Sequence, residues 1–113
     1  MQAGNGVTAA RIKKYRRQMA RLLALEAALR DHGTRPVSVT LDAGKPDLDT
    51  PLLHTFGDHV LPRGSGRGDD ECEGTVTRVE GRAFVLDWVD EEGNTLCTSQ
   101  ADDVEEAARL ITP

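Results

Sequence analysis

Four side chains have the chemistry to hold a metal or to act as nucleophile and base: His54, His59, Cys72 and Cys97. Structural zinc sites take ligands paired about two to four residues apart on a tight turn, and none of these four is so paired. A Cys–His dyad built from Cys72 with His54 or His59 would set its thiol among Asp69, Asp70, Glu71 and Glu73. Their field raises a thiol pKa, the opposite of activation. Cys97 reads more simply as a small buried hydrophobe. The run Gly64-Ser65-Gly66-Arg67-Gly68 has the glycine content of a phosphate-cradling loop. It lacks the preceding strand and the following helix, and the acids after it would repel a phosphate. No catalytic residue, no metal and no cofactor is therefore expected.

The remaining functional residue types are charges. Lys13, Lys14, Arg16, Arg17 and Arg21 recur at helical spacing on one face. Such a face suits phosphates, where each neutralised charge releases counterions whatever the base sequence. No turn–helix partner flanks it, and no Asn/Gln/Arg cluster is poised for base edges. The bland reading is a solvated helix face. Two acidic groups stand elsewhere: Asp69, Asp70, Glu71 and Glu73 in one segment, and Asp87, Asp90, Glu91 and Glu92 around a turn. General acid–base work needs a cleft that separates two pKa values, whereas a decoy for a basic surface needs only exposure.

These charges divide along the chain. Residues 1–31 carry seven Lys and Arg against Glu26 and Asp31, while the rest carries seven basic and seventeen acidic residues. A basic end and an acidic body point to a charged partner, or to a helix lying on its own acidic sheet.

The elements that position them are set by hydrophobic period and turn chemistry. From Ala9 to Asp31 there is no Gly or Pro, Thr8 is placed as N-cap, and His32-Gly33 stops the run, so a long helix is expected. Ile12, Tyr15, Met19, Leu22, Leu23 and Leu29 share an arc opposite the cations. Leu22 to Leu29 is apolar nearly all round and is expected to be enclosed. Val37 to Leu41 alternates like a strand. Thr50-Pro51 is suited to start a short helical turn that points Leu52, Leu53 and Phe56 inward. Beyond Gly57, an edge strand through His59 to Leu61 is the alternative. Residues 62–73 read as a mobile loop and residues 1–7 as a frayed end.

The centre of the chain is Gly74 to Ser99. Thr75–Val79, Ala83–Val89 and Thr95–Thr98 are three short strands joined through Glu80-Gly81 and through Asp90 to Asn94, the pattern of antiparallel hairpins. Phe84, Leu86 and Trp88 share one side with period two. A last helix, capped by Ser99 or Asp102, carries the stripe Val104, Ala107, Ala108 and Ile111. The strand–turn–strand layout and its continuation into Asp102-Asp103-Val104-Glu105-Glu106-Ala107-Ala108 resembles HicB-type antitoxin domains over this C-terminal part alone, and no residue role is carried over from it.

A chain of 113 residues with 38% hydrophobic and 4% aromatic residues makes one domain with a modest core. No stretch approaches a membrane span. The Arg-rich, acid-poor start also fits a presequence, but its run into a capped helix end reads as structural. For two thiols without an export signal a reduced cytoplasmic setting is expected, with a disulfide as the alternative. The expected fold is α+β: a long N-terminal helix on an antiparallel sheet of about four strands, with a short C-terminal helix. The expected function is a non-enzymatic protein-binding module of the immunity-protein, antitoxin or phage-inhibitor kind. It would meet a basic protein surface through Asp69, Asp70, Glu71, Asp87, Asp90, Glu91 and Glu92. The alternative is a nucleic-acid-associated regulator using the basic helix, and a homodimer through that helix is a further arrangement it allows.

Overall fold

The computed structural model describes residues 9–32, 38–42, 50–60 and 71–111. Helix α1 spans Ala9–His32, strands β1 to β5 span Ser38–Asp42, Leu52–Val60, Glu71–Glu80, Ala83–Val89 and Thr95–Ala101, and helix α2 spans Val104–Ile111. The strands form one antiparallel sheet in chain order, β1-β2-β3-β4-β5. The architecture is α+β as the patterning indicates, with five strands rather than about four.

Register decides which residues meet the helices. Trp88 stands opposite Thr75 and Cys97, Leu86 opposite Thr77 and Ser99, and Phe84 opposite Val79 and Ala101. That face packs on Leu22, Leu25 and Leu29 of α1 and on Ala107, Ala108 and Ile111 of α2, all buried. Trp88 is fully buried, as its place beside Phe84 and Leu86 requires. Gly81, with a φ of 63°, makes the two-residue β3–β4 turn with Arg82, and Gly93, with a φ of 86°, lies in the β4–β5 turn. Both conformations favour glycine.

Three expectations are corrected. Leu52–Val60 is a strand and not a helical turn: residues 52–56 lie between β1 and β3, while His59 and Val60, expected as an edge strand, are in the strand and among the described residues pair with β3 alone. Leu53 and Thr55 face the core from it while Phe56 is 43% exposed, because pairing on both sides overrides the helix-start signal of Thr50-Pro51. The β2–β3 approach there is close. A Cβ on Gly74 would run into the Thr55 carbonyl, so this position accepts only glycine.

The second correction is to α1. Its second half is not enclosed: Ala24 and Ala27 are exposed and Leu23 is 47% exposed. The helix touches the sheet along Gln18, Leu22, Leu25 and Leu29, a single 3.6-residue stripe, and Leu23 lies about 100° round from Leu22. Buried Gln18 sends its amide Nε2 to the Val79 carbonyl at 3.1 Å.

The third concerns α2, whose N-cap is Asp103. Its Oδ1 accepts from Glu106 N at 2.8 Å, and Glu106 Oε1 accepts from Asp102 N at 2.9 Å. This is a capping box shifted by one residue at its return bond, and Ser99 lies within β5. Residues 71–73 of the expected mobile loop belong to β3. The rest of that loop, and the expected N-cap Thr8 and frayed end, lie outside the described residues.

Thr55, Thr75 and Thr77 are buried on the helix-facing side of β2 and β3, and among the described residues their hydroxyls meet no hydrogen-bond partner. A buried unpaired hydroxyl carries a desolvation penalty of about 1–3 kcal/mol that an apolar group of the same shape avoids. Thr75→Val is therefore expected to raise stability by about 1 kcal/mol, seen as a higher urea midpoint at unchanged slope; a lower midpoint would mean that Thr75 Oγ1 is satisfied in solution.

Candidate docking surface on the uncovered sheet face

Both helices pack on one side of the sheet, and no described element covers the other. Register lays out that open face in rows. One row runs Thr40, His54, Val76, Asp87, Thr98 across β1 to β5, and the next runs Ser38, Phe56, Gly74, Val89, Thr95. Gly74 contributes no side chain between Phe56 and Val89. The result is an open groove of about 530 Å³, lined by His54, Phe56, Glu73, Val76, Val89, Asp90, Glu91 and Gly93. The His54 and Phe56 rings are stacked, 5.8 Å between centroids and 12° from parallel. His54 Nε2 lies 4.0 Å from Asp42 Oδ2.

Beside the groove the same face is polar, with one guanidinium shared between two carboxylates. Arg78 Nε meets Glu80 Oε2 at 2.6 Å and its Nη1 meets Asp87 Oδ2 at 2.7 Å. Thr98 Oγ1 donates to Asp87 Oδ1 at 2.6 Å. The bond to Glu80 foremost, opposed by burial and joined by the bond to Asp87 and the charges of both carboxylates, pushes the Arg78 pKa above its ordinary value. Such exposed pairs add little stability, but they fix the charge of this half of the face.

Asp87 and Asp90 are thus not the free carboxylates that their place in an acidic run suggests. Asp87 is held by Arg78 and Thr98. Asp90 closes the β4–β5 turn: its Oδ1 accepts from Glu92 N and Asn94 N, both at 2.9 Å, and its carbonyl accepts from Gly93 N. Glu91 and Glu92 are exposed, with Glu92 Oε2 3.4 Å from Asn94 Nδ2. Glu71 opens β3, while Asp69 and Asp70 lie outside the described residues. Glu73, which the sequence places only in an acidic run, lines the groove together with Asp90 and Glu91. Phe56 is not legible in the sequence as a site residue, and His54 stands out there only as a metal-ligand or dyad candidate. Their signal was alternation along Leu52–Phe56, masked by the Thr50-Pro51 helix cue.

The basic face of α1 also divides. Lys13, Lys14, Arg16 and Arg17 are exposed, on the side of the sheet away from the groove. Arg21 is instead a clamp. Its Nη2 donates to the Arg82 carbonyl at 2.7 Å and to the Asp102 carbonyl at 3.3 Å, and its guanidinium lies 4.6 Å from the centre of the Phe84 ring. One side chain ties α1 to the β3–β4 turn and to the entry of α2.

The residue types able to do covalent or metal chemistry are kept apart. Cys72 is buried in the core, with Cys97 partly buried against it, whereas His54 is on the open face. Burial, more than the nearby Cys97 and Glu73, pushes the Cys72 thiol up to about 11, so it is protonated at neutral pH. Among the described residues no three His, Cys, Asp or Glu are grouped to hold a metal ion, and no helix is long and apolar enough to cross a membrane.

Arg21→Gln is expected to cost about 1–2 kcal/mol through its charged hydrogen bonds and ring contact, while Lys13, Lys14, Arg16 and Arg17 changed together to Gln should shift stability by no more than about 0.5 kcal/mol; urea unfolding of the two variants distinguishes clamp from free face. For Asp90, the Asn94 and then Glu92 backbone N–H groups hold the carboxyl below the usual carboxylate range. A depressed folded pKa stabilises above the unfolded value of about 3.9 and loses that stabilisation as pH falls through the folded one. Melting temperature tracked from about pH 5 to pH 2 should therefore drop more steeply in the wild type than in Asp90→Asn.

No family model matches the chain, and no curated protein or solved structure matches it significantly.

Proposed function

We propose that this protein is a non-enzymatic protein-binding module that receives a basic partner on the uncovered face of its sheet. The observation carrying this reading is the groove beside the β4–β5 turn. There an aromatic pair and two valines lie within reach of three carboxylates, Glu73, Asp90 and Glu91. An apolar floor supplies area to bury, and the acidic rim selects for cations and speeds their approach. Small inhibitors, immunity proteins and antitoxins act in this manner, through complementarity rather than chemistry. Two free cysteines, one of them buried, fit a reducing cytoplasmic setting. The acidic interaction surface is narrower than the full set of acids in the sequence, since Asp87 is internally paired and Asp90 also serves the turn.

A second reading rests on Lys13, Lys14, Arg16 and Arg17, four exposed cations on one helix that are suited to a phosphate backbone. One experiment separates the two. Amide chemical shifts are monitored while a short Lys-Gly repeat peptide, and separately a random-sequence DNA duplex, is added at about 0.15 M salt, roughly physiological ionic strength. The groove reading expects peptide-induced shifts clustered at Phe56, Val76, Val89 and Glu91 and none with DNA. Shifts along α1 on adding DNA, abolished when the four cations are changed to Gln, would replace it with the nucleic-acid reading.

A further inference from the structure

We infer that the partner's anchor in this groove is an arginine, whose guanidinium layers on the Phe56 ring while Glu73 and Glu91 take its N–H groups. The inference rests on the groove being the docking surface and adds what it takes. Phe56 is one of two large hydrophobic side chains exposed among the described residues, and it is the aromatic one. Its ring already carries His54 in near-parallel contact, so the pair presents a flat aromatic surface with 43% of Phe56 still open. A flat cation completes such a stack better than a round one. Guanidinium is planar, more weakly hydrated than ammonium, and offers donors in a fork matched to carboxylates. Lysine would bring the charge without the plane.

The charge around the ring favours the same occupant. Glu73 and Glu91 are exposed and meet no cation among the described residues. Arg78, a described guanidinium on this face, is bound to Glu80 and Asp87. The chain already uses this geometry on its opposite face, where the Arg21 guanidinium lies 4.6 Å over Phe84 and spends its N–H groups on two backbone oxygens. At the groove the ring and the acceptors are present, and among the described residues no cation occupies them. A volume of about 530 Å³ accepts a whole arginine side chain with the backbone of an extended segment above it.

The test compares fluorescein-labelled Arg-Gly and Lys-Gly repeat peptides of equal length and charge, by fluorescence anisotropy, on the intact protein. A ring contact of this kind predicts that the arginine peptide binds about three- to thirty-fold tighter. Phe56→Leu should bring that ratio close to one, and Phe56→Tyr, which keeps the ring, should preserve it. Glu73→Gln with Glu91→Gln should weaken both peptides alike and flatten their salt dependence. Melting curves confirm that each variant is folded, as the exposure of all three side chains leads one to expect. Equal affinity for the two peptides, lost on removing Glu73 and Glu91 but indifferent to Phe56, would overturn the arginine anchor and leave the acidic groove standing. Affinity unchanged in every groove variant would overturn both.

Discussion

The structure depends on one row of side chains finding cover. Phe84, Leu86 and Trp88 project from the same side of β4, and they need an apolar layer longer than any neighbouring strand supplies. Leu22, Leu25 and Leu29 provide it from one end of the chain and Ala107, Ala108 and Ile111 from the other. Small residues on α2 and branched ones on α1 let two helices lie side by side on a single sheet face. Because both are used on that side, no described element covers the other face. An antiparallel sheet tolerates this arrangement. The open face is therefore a consequence of how the core is closed.

The same economy explains the polar links between layers. Helix α1 touches the sheet by one narrow stripe, and burial alone would leave its rotation loosely set. Gln18 on the Val79 carbonyl and Arg21 on the Arg82 and Asp102 carbonyls fix it. Each reaches a backbone oxygen where the β3–β4 hairpin or the β5–α2 junction presents one. Both are polar residues on a helix whose neighbours are apolar, and only their partners reveal what they do.

Legibility in the sequence depends on the range of the interaction. Local signals held well: the α1 span, the Gly81 and Gly93 turns, the Ala83–Val89 strand and the α2 stripe all come from spacing within a few residues. Strand β2 did not, since a Pro in first-turn position is a local cue whereas the ladders that make Leu52–Val60 a strand come from partners elsewhere in the chain. The rotation of α1 escaped for a related reason. In Leu22 to Leu29 the alanines make every face apolar, so periodicity cannot say which one is buried. Charges were legible as counts and not as uses: Arg21, Asp87 and Asp90 are ordinary members of their runs until the bonds that occupy them are seen.

The division of charge between the two ends of the chain has a spatial meaning that counting alone does not give. A helix lying on its own acidic sheet would cancel much of both fields. Here α1 lies on the helix-facing side, and the acids of the groove are on the other. A helix with its side chains is about 10 Å across, already more than the Debye length of about 8 Å at physiological ionic strength. Lys13, Lys14, Arg16 and Arg17 are exposed on that helix, and where solvent lies between them and Glu73, Asp90 and Glu91 over more than a Debye length, salt screens the two groups from each other. The two fields persist independently, one on each side of the molecule. A charged partner approaching from solution meets one sign or the other, and the acidic side is the one that also offers an aromatic ring and a hollow to fill.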